Sequence, residues 1–173
     1  MLRLRAGWRA ELVASLHDRG NSIPGMISNP PGYDEWVLSV PAEIRDDPLW
    51  KTPAYRLALM LGDQARTDLE TVRADRGTRA IADQLQRCVS SISANLAEGY
   101  SRTTGPERAR FYEYALGSGR EARDWYYKMR HTLGANVVAE RLSLVTRIVR
   151  ILTAVVPRER ATALTRARAT ARR

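Results

Sequence analysis

Few side chains in this chain could support catalysis or bind a metal ion. A cluster of serines lies within residues 90–93, but no histidine and acid are placed beside it as nucleophilic catalysis requires. A zinc site needs several ligands at a fitting spacing, whereas His17, Cys88 and His131 lie far apart. The pattern is therefore typical neither of a hydrolase nor of a zinc protein.

A carboxylate site for two metal ions is a more specific possibility, because helical bundles can hold two metal ions between facing helices. Glu98 and Glu121 would lie on such helices, but the Glu-x-x-His pairs of these sites are missing from the sequence. No glycine-rich phosphate loop follows a predicted strand. We therefore expect no enzyme activity, no metal ion and no cofactor.

Arginine is the residue type that points to a ligand. The net charge is +9, and it divides into −2 for residues 1–48, +6 for residues 49–157 and +5 for residues 158–173. A basic tail on a basic domain predicts contact with RNA or DNA of low sequence specificity. The alternative is that 26 Arg against 2 Lys reflect a bias in nucleotide composition. The candidate phosphate contacts are Arg102, Arg108, Arg110, Arg120, Arg123, Arg158, Arg160, Arg166 and Arg168.

Aromatic side chains accompany these arginines and could stack on unpaired bases. The candidates are Tyr100, Tyr112, Tyr114, Trp125, Tyr126 and Tyr127. At helical spacing, however, Tyr112, Trp125 and Tyr126 are more typical of a core or of an interface.

The arginines and carboxylates must be positioned by helices, and the pattern from Ile81 to Arg102 is that of a helix with two unlike faces. Apolar residues recur at steps of three and four, which places them on one stripe. A second stripe is polar and lies among small residues. The apolar stripe comprises Ile81, Leu85, Val89, Ile92 and Leu96, and the polar one Gln84, Arg87, Ser91, Asn95 and Glu98. Buried polar groups need partners, so we expect specific contacts on the second stripe.

The run DQLQRCVSSISANLAEGYSR, followed by ERARFYEYALGSGREA, resembles the signature of the four-helix-bundle proteins described as ribosomal RNA intervening-sequence proteins. The resemblance covers about residues 49–157 and is strongest at the second and third predicted helices. The matching positions are Asp83, Gln84, Leu85, Arg87, Ser91, Ile92, Asn95, Ala97, Glu98, Gly99, Phe111, Gly117, Ser118 and Glu121. Two features depart from the pattern: Cys88 replaces the usual Ala, and the first 48 residues match nothing in it.

The resemblance implies a homo-oligomer, specifically a basic pentamer, that binds nucleic acid. Accessory proteins of diversity-generating retroelements are among the relatives, so it also implies a reverse transcriptase as a partner. We expect the signature residues to form a polar network, within or between subunits, that gives structural specificity. Its members would be Arg87, Asn95, Glu98, Gly99, Ser118 and Glu121. The alternative function is a protein–protein interaction module whose basic charge is incidental.

Four predicted helices define an all-α, up-and-down antiparallel four-helix bundle over residues 49–157. The first begins at residues 47–48 or 52–53 and ends near residue 76, and the second spans about residues 78–100. The third spans about residues 106–133, with Thr104 as a cap and Glu107 in its first turn. Gly117 and Gly119 are expected to allow close approach to the small residues of the second helix.

The fourth helix spans about residues 135–156, and Pro157 is expected to end it. Two apolar seams run along this helix, which is more than a monomeric bundle uses. The second seam therefore predicts a subunit interface, formed by Leu144, Ile148, Ile151 and Val155.

The segments outside the bundle are predicted to be less regular. Residues 1–48 are expected to form an irregular N-terminal arm or linker, with a short helix within residues 1–17 and an extended segment at Trp36–Val40 that docks on the bundle. Residues 158–173 are expected to form an Arg-rich basic tail that is frayed on its own. Cys88 is expected to be a buried, inert thiol. No apolar run approaches the roughly 20 residues of a membrane span, so we expect a cytoplasmic protein.

Overall fold

The computed structural model describes residues 29–170, with side chains as far as Thr162. Every regular element in this range is helical. The chain divides into two compact units, Met1–Thr52 and Pro53–Arg173. The helix predicted within residues 1–17 lies outside the described range.

The described part of the first unit contains three short helical segments. Two α-helical segments, Tyr33–Ser39 and Ala42–Arg45, precede a 3-10 turn at Pro48–Lys51. The prediction of an extended segment at Trp36–Val40 is therefore wrong. Proline restricts mainly the residue before it, and Val40 alone is extended ahead of Pro41, which leaves the preceding residues free to form a helix.

Aromatic rings hold this unit together. The ring centroids of Tyr33 and Trp36 are 5.7 Å apart, and those of Trp36 and Trp50 are stacked at 5.8 Å. The side chain of Asp47 caps the 3-10 turn by accepting a hydrogen bond of 2.7 Å from the N–H of Leu49. Proline at the next position suits such a start, because the missing N–H would have no helical partner.

The second unit contains four long helices, which we number α1 (Pro53–Ala74), α2 (Arg79–Tyr100), α3 (Gly105–Lys128) and α4 (Ala135–Thr170). α3 ends at Lys128 rather than continuing to residue 133 as predicted, and a separate short helix at Arg130–Leu133 follows it. Gly134 closes this segment at a φ of 82°, where glycine is favoured.

The start of α3 follows the prediction. The hydroxyl of Thr104 accepts a hydrogen bond from the N–H of Glu107 and donates one of 2.7 Å to the Glu107 carboxylate. Thr104 therefore caps the helix with its side chain, and the hydrogen bond that it donates lowers the pKa of Glu107. Pro106 lies in the first turn, where proline is tolerated.

Packing joins each long helix to two others: α2 contacts α1 and α3, and α4 contacts α3 and α1. Gly99 of α2 lies against Tyr112 of α3, and the hydroxyl of Ser118 donates to that of Ser91 at 2.9 Å, so these helices run antiparallel. The apolar stripe predicted for α2 lies in the core, where Leu85 and Ile92 have no exposed surface. This part of the fold rests on the burial of apolar stripes.

The predicted subunit interface on α4 is not a free surface. Leu144, Ile148 and Ile151 are 3%, 0% and 7% exposed within a single chain, and Val155 is half-buried. A helix that packs against two neighbours needs an apolar face wide enough for both, and α4 contacts both α3 and α1. The second seam therefore belongs to the core of the chain, and the inference of an interface from its width was wrong.

Pro157 does not end α4, which spans 36 residues from Ala135 to Thr170. Proline removes the N–H that would bond the carbonyl of Thr153, at a substantial cost. The helix continues because Glu159, on the next turn, is held by Arg108 of α3. The segment predicted to be frayed is therefore helical as far as Thr170.

Candidate nucleic-acid interface

Arg108 and Glu159 form a nearly buried ion pair between α3 and α4. The guanidinium Nε donates to the Glu159 carboxylate at 2.8 Å, and the two side chains are 8% and 12% exposed. The guanidinium also donates to the carbonyl oxygens of Arg102 and Thr103, at 3.0 and 3.3 Å. Arg108 thus fastens the α2–α3 turn to α4. The prediction that Arg108 contacts phosphate is wrong, because its charge and its donors are used internally.

Gly105 brings the backbones of α3 and α4 together beside this ion pair. A Cβ added to Gly105 would lie 2.2 Å from the carbonyl oxygen of Glu159 and 2.6 Å from the hydroxyl oxygen of Thr162. Only glycine fits such an approach without movement of the backbone. The first turn of α3 therefore holds α4 in place on the far side of Pro157.

This contact determines the charge of the last part of α4. Glu159 is the only acid in residues 158–173, and it is turned inward to Arg108. Arg158 is exposed, while Arg160 is exposed and pairs with Glu113 of α3. Arg166 and Arg168 lie within the helical range of α4, with side chains outside the described residues. The outward charge of this segment is consequently positive.

Arg102 and Arg110 lie at the same end of the unit and both contact aromatic rings. Arg102 pairs with Glu98, and its guanidinium lies 4.7 Å from the centroid of the Phe111 ring. The Nε of Arg110 donates to the hydroxyl of Tyr114 at 2.9 Å. Arg110 is the more exposed of the two, and no acid pairs with it among residues 29–162.

Arg120 and Arg123 lie farther along α3, and both are exposed. Neither has an acidic partner within the described part of the chain. The neighbouring acid Asp124 pairs instead with Lys128. These two guanidinium groups are therefore available to an anion.

Sequence reasoning missed two further exposed cations, Arg130 and Arg150. Arg130 follows Arg120 and Arg123 at helical spacing, and its guanidinium lies 4.4 Å from the centroid of the Tyr127 ring. The spacing of residues 120, 123, 127 and 130 was a signal that could have found it. Among the tyrosines, Tyr112 and Tyr126 are buried, as the core interpretation predicted, whereas Tyr114 and Tyr127 are 48% and 55% exposed.

The signature residues do not form one network within the chain. Asn95 donates to the carbonyl and hydroxyl oxygens of Ser91, each at 2.8 Å, and the hydroxyl of Ser118 reaches the same Ser91. The other carboxylates bind elsewhere, Glu98 to Arg102 and Glu121 to the indole N–H of Trp125. Within the described chain these contacts form separate pairs rather than one network, and only the Ser118–Ser91 bond joins α3 to α2. A network between subunits stays a prediction.

Arg87, the remaining charged residue of the signature, is exposed on α2. It lines a shallow depression of about 500 Å³. The other residues of the depression are Asp83, Gln86, Ser90, Ser91 and Ala94. Of the polar stripe of α2, Arg87 and Glu98 are exposed, whereas Gln84, Ser91 and Asn95 are half-buried.

Two of the three signature-region glycines allow close approach. Gly99 meets Tyr112, whose ring would lie 2.8 Å from an added Cβ, and Gly119 meets Val149 of α4 at 3.2 Å. Gly119 thus approaches α4 more closely than α2. Nothing lies within 4 Å of a Cβ added to Gly117, so the predicted role for that residue was wrong.

Cys88 is buried, and its burial raises the pKa of the thiol to about 12. The thiolate, which is the reactive form, is thus disfavoured. Within the described residues, no group of three or more His, Cys, Asp or Glu is arranged to hold a metal ion. None of the helices within residues 29–170 is long and apolar enough to cross a membrane.

These features define an all-helical protein whose exposed polar surface is rich in arginine. Residues 70–154 match the family model described as 23S rRNA-intervening sequence protein. Over these residues the chain belongs to that family, as the signature predicted. No curated protein and no solved structure matches the chain.

Proposed function

We propose that this chain is a cytoplasmic, non-enzymatic protein that binds nucleic acid through exposed arginines, with little preference for base sequence. The observation that carries the proposal is the inward orientation of Glu159. Because this acid is bound to Arg108, it does not neutralise the arginines of the last part of α4. Arg160 pairs with Glu113, whereas Arg158 is exposed and has no acidic partner among the described residues. A family named for an intervening sequence of 23S rRNA also supports a role connected with RNA.

The electrostatic argument follows from phosphate chemistry. Each phosphate neutralised by an arginine releases a condensed counterion, so binding of this kind weakens steeply with salt. Arg120 and Arg123 add exposed, unpaired charge along α3. The arginines lie on the exposed side of helices, which favours contact with the phosphate backbone over recognition of base sequence.

The test is the salt dependence of binding to a labelled RNA of random sequence. Replacing Arg158 and Arg160 by Gln should lower the slope of log K against log salt by roughly 0.7–0.9 for each phosphate that is no longer neutralised. The matched control replaces Arg66 and Arg76 by Gln, since both are exposed on or just after α1 and the change in net charge is identical. A native protein that retains neither RNA nor DNA at about 50 mM salt would refute the proposal.

We also propose that the four long helices form an up-and-down bundle, which the pairing of each helix with two others supports. Assembly into a homopentamer and a reverse transcriptase as partner rest on the family resemblance. The width of the apolar face of α4 no longer supports assembly, because that face is used within the chain.

A second candidate function is binding of a protein partner, and the shallow depression on α2 favours it. Ser90 and Ala94 are exposed beside Arg87 in the shallow depression, so another backbone could approach closely there. Substituting Ala94 by Arg would block such an approach and leave nucleic-acid affinity unreduced. Loss of a co-purifying protein together with retained RNA binding would separate the two functions.

A further inference from the structure

A stripe of four exposed residues runs along the end of α3 and the short helix after it. Arg120, Arg123, Tyr127 and Arg130 follow one another at steps of three, four and three, which keeps them on one side of the helix. We call this set the basic stripe. It spans roughly 15 Å, at 1.5 Å of helical rise per residue.

The basic stripe borders α4. Glu113 lies two helical turns before Arg120 on the same side of α3, and it pairs with Arg160 of α4. Gly119 packs against Val149, so the next residue of each helix, Arg120 and Arg150, lies at a similar level. When two antiparallel helices face each other at one pair of residues, the next residue along each helix lies on the same side of the helix pair. Both arginines are exposed, so that side is the outer one.

The charge of this surface is not neutralised by the chain. Among residues 29–162, no acid pairs with Arg120, Arg123 or Arg150. Of the acids closest in sequence on α3, Glu121 accepts a hydrogen bond from the indole N–H of Trp125, and Asp124 pairs with Lys128. Glu113, two turns earlier, pairs with Arg160. Three guanidinium groups on two adjacent helices are thus left to bind an anion.

Tyr127 lies in the middle of this charge and is 55% exposed. Its ring has the guanidinium of Arg130 at 4.4 Å from the centroid, and Arg130 also donates to the carbonyl oxygen of Tyr127 at 3.1 Å. Arg130 therefore holds one side of the ring in a defined orientation. An aromatic ring held among arginines is the arrangement that stacks on a base while the phosphates are bound.

We propose that the ligand of the basic stripe is single-stranded nucleic acid. An unpaired base stacks on Tyr127, and the flanking phosphates bind Arg120, Arg123 and Arg150. In a duplex the faces of the bases are already stacked on one another, so a tyrosine at the protein surface has no base face to contact. This inference rests on the proposed function, because it specifies which nucleic acid the basic surface binds.

The experiment compares a labelled oligouridylate of about 20 nucleotides with an RNA duplex of equal length, at the same salt. Tyr127→Ala should weaken single-strand binding by roughly 5-fold or more, the effect of losing one stacked base. Duplex binding, which uses only phosphates, should change by less than about 2-fold. Tyr127→Phe keeps the ring and should bind the single strand as the native chain does.

The matched control is Tyr114→Ala, because Tyr114 is the other exposed tyrosine of α3 and is not part of the basic stripe. Because Tyr114 accepts a hydrogen bond from Arg110, any loss of affinity in this variant should be equal for the single strand and the duplex. Replacing Arg120 and Arg150 together by Gln should lower the single-strand salt slope by roughly 0.7 for each phosphate that is no longer neutralised. The same change at Arg66 and Arg76 should not lower it.

The possible results distinguish a failure of base stacking on Tyr127 from a failure of the proposed nucleic-acid binding. Suppose that the native chain binds RNA but that Tyr127→Ala leaves single-strand affinity unchanged, or weakens single-strand and duplex binding equally. Stacking on Tyr127 is then refuted, while binding of nucleic acid by the basic surface is not. If the native chain binds neither probe at low salt, the proposed function itself fails. Because Tyr127 is exposed, a circular dichroism spectrum identical to that of the native chain is expected for each variant.

Discussion

Arg141 of α4 binds Asp68 of α1 through two parallel hydrogen bonds, of 2.8 and 3.2 Å. Their side chains are 11% and 5% exposed, and the hydroxyl of Tyr126 on α3 donates a third bond, of 3.1 Å, to the same carboxylate. Three helices thus meet at one buried ionic cluster. Polar groups in a core exclude alternative packings when every partner is satisfied, so this cluster favours one alignment of α1, α3 and α4.

The first prediction concerns this cluster. Asp68→Asn removes the charge that compensates Arg141 and should lower the free energy of unfolding by about 3–5 kcal/mol. Tyr126→Phe removes one donor while Arg141 remains paired, and should cost only about 1 kcal/mol. Urea unfolding of both variants measures the difference. Equal losses of stability in the two variants would contradict the role assigned to the ion pair.

The sequence contained a signal for this cluster, although the periodicity of the apolar residues alone does not reveal it. Asp68 lies three residues after Ala65 and four before Val72, both of which are buried, so a charge falls within the apolar stripe of α1. Arg141 falls likewise between Val138 and Val145. A charge on an apolar stripe calls for a buried partner. Spacing along one helix shows that a partner is needed, but not which helix supplies it.

The second prediction uses two glycines of α3 with opposite surroundings. Gly105→Ala should destabilise the chain, because the added Cβ would lie 2.2 Å from the carbonyl oxygen of Glu159. Gly117→Ala meets nothing within 4 Å and should stabilise α3 by about 1 kcal/mol through helix propensity. Thermal unfolding of the two variants should therefore give shifts of opposite sign. A loss of stability in both would contradict the open surroundings of Gly117.

The third prediction concerns the proline within α4. Pro157→Ala restores the N–H that can bond the carbonyl of Thr153, and should raise stability by up to about 3 kcal/mol. Ser143→Ala, on the exposed side of the same helix, is the control for propensity alone. If α4 ended at Pro157, the alanine variant would melt at the native temperature.

The fourth prediction concerns alkaline pH. Burial raises the pKa of Cys88 from 9 to about 12, so between these values the unfolded chain loses a proton that the folded chain keeps. Stability should therefore fall as pH rises through this window, and Tyr126, whose pKa burial also raises, should add to the fall above pH 10. Cys88→Ala should flatten the profile just above pH 9. An unchanged profile would mean that the thiol is accessible in the folded state.

The helices were largely predictable from the sequence, whereas the use of their surfaces was not. The stripe of α2, the cap at Thr104 and the stop at Gly134 depend on local spacing, which a sequence records directly. The width of the apolar face on α4 was also predicted correctly, but the surface that covers this face was not. A second helix of the same chain and a helix of another subunit would require the same apolar pattern on α4, and the structure shows that α1 and α3 cover it. Consequently Ile148→Glu, at a fully buried position, would test folding rather than assembly.

Arginine posed a similar difficulty at the candidate interface. Arg108 and Arg110 differ by two positions and look alike in the sequence, yet one is buried against Glu159 and the other is exposed. The pairing depends on α4 continuing past Pro157, which propensity argues against. The compensation comes from a tertiary contact at Gly105, and no local pattern reports such a contact.

The last prediction separates the structural part of the terminal segment from the part available to nucleic acid. Removing residues 158–173 takes away Glu159 and leaves the charge of Arg108 buried without its partner, which should cost about 3–5 kcal/mol. Removing only residues 163–173 keeps Glu159 and Thr162 beside α3, so the melting temperature should stay within about 2 °C of the native value. It still removes four arginines and should flatten the salt dependence of RNA binding.

The two truncations should therefore differ in stability and resemble each other in their weakened binding. Glu159→Gln in the full chain supplies the control, because it should reproduce most of the stability loss while keeping every terminal arginine. Its RNA affinity at low salt should be equal to or above the native value at a temperature where it is folded. If the short truncation melts as early as the long one, α4 beyond Thr162 contributes to the fold, and the division at that residue is wrong.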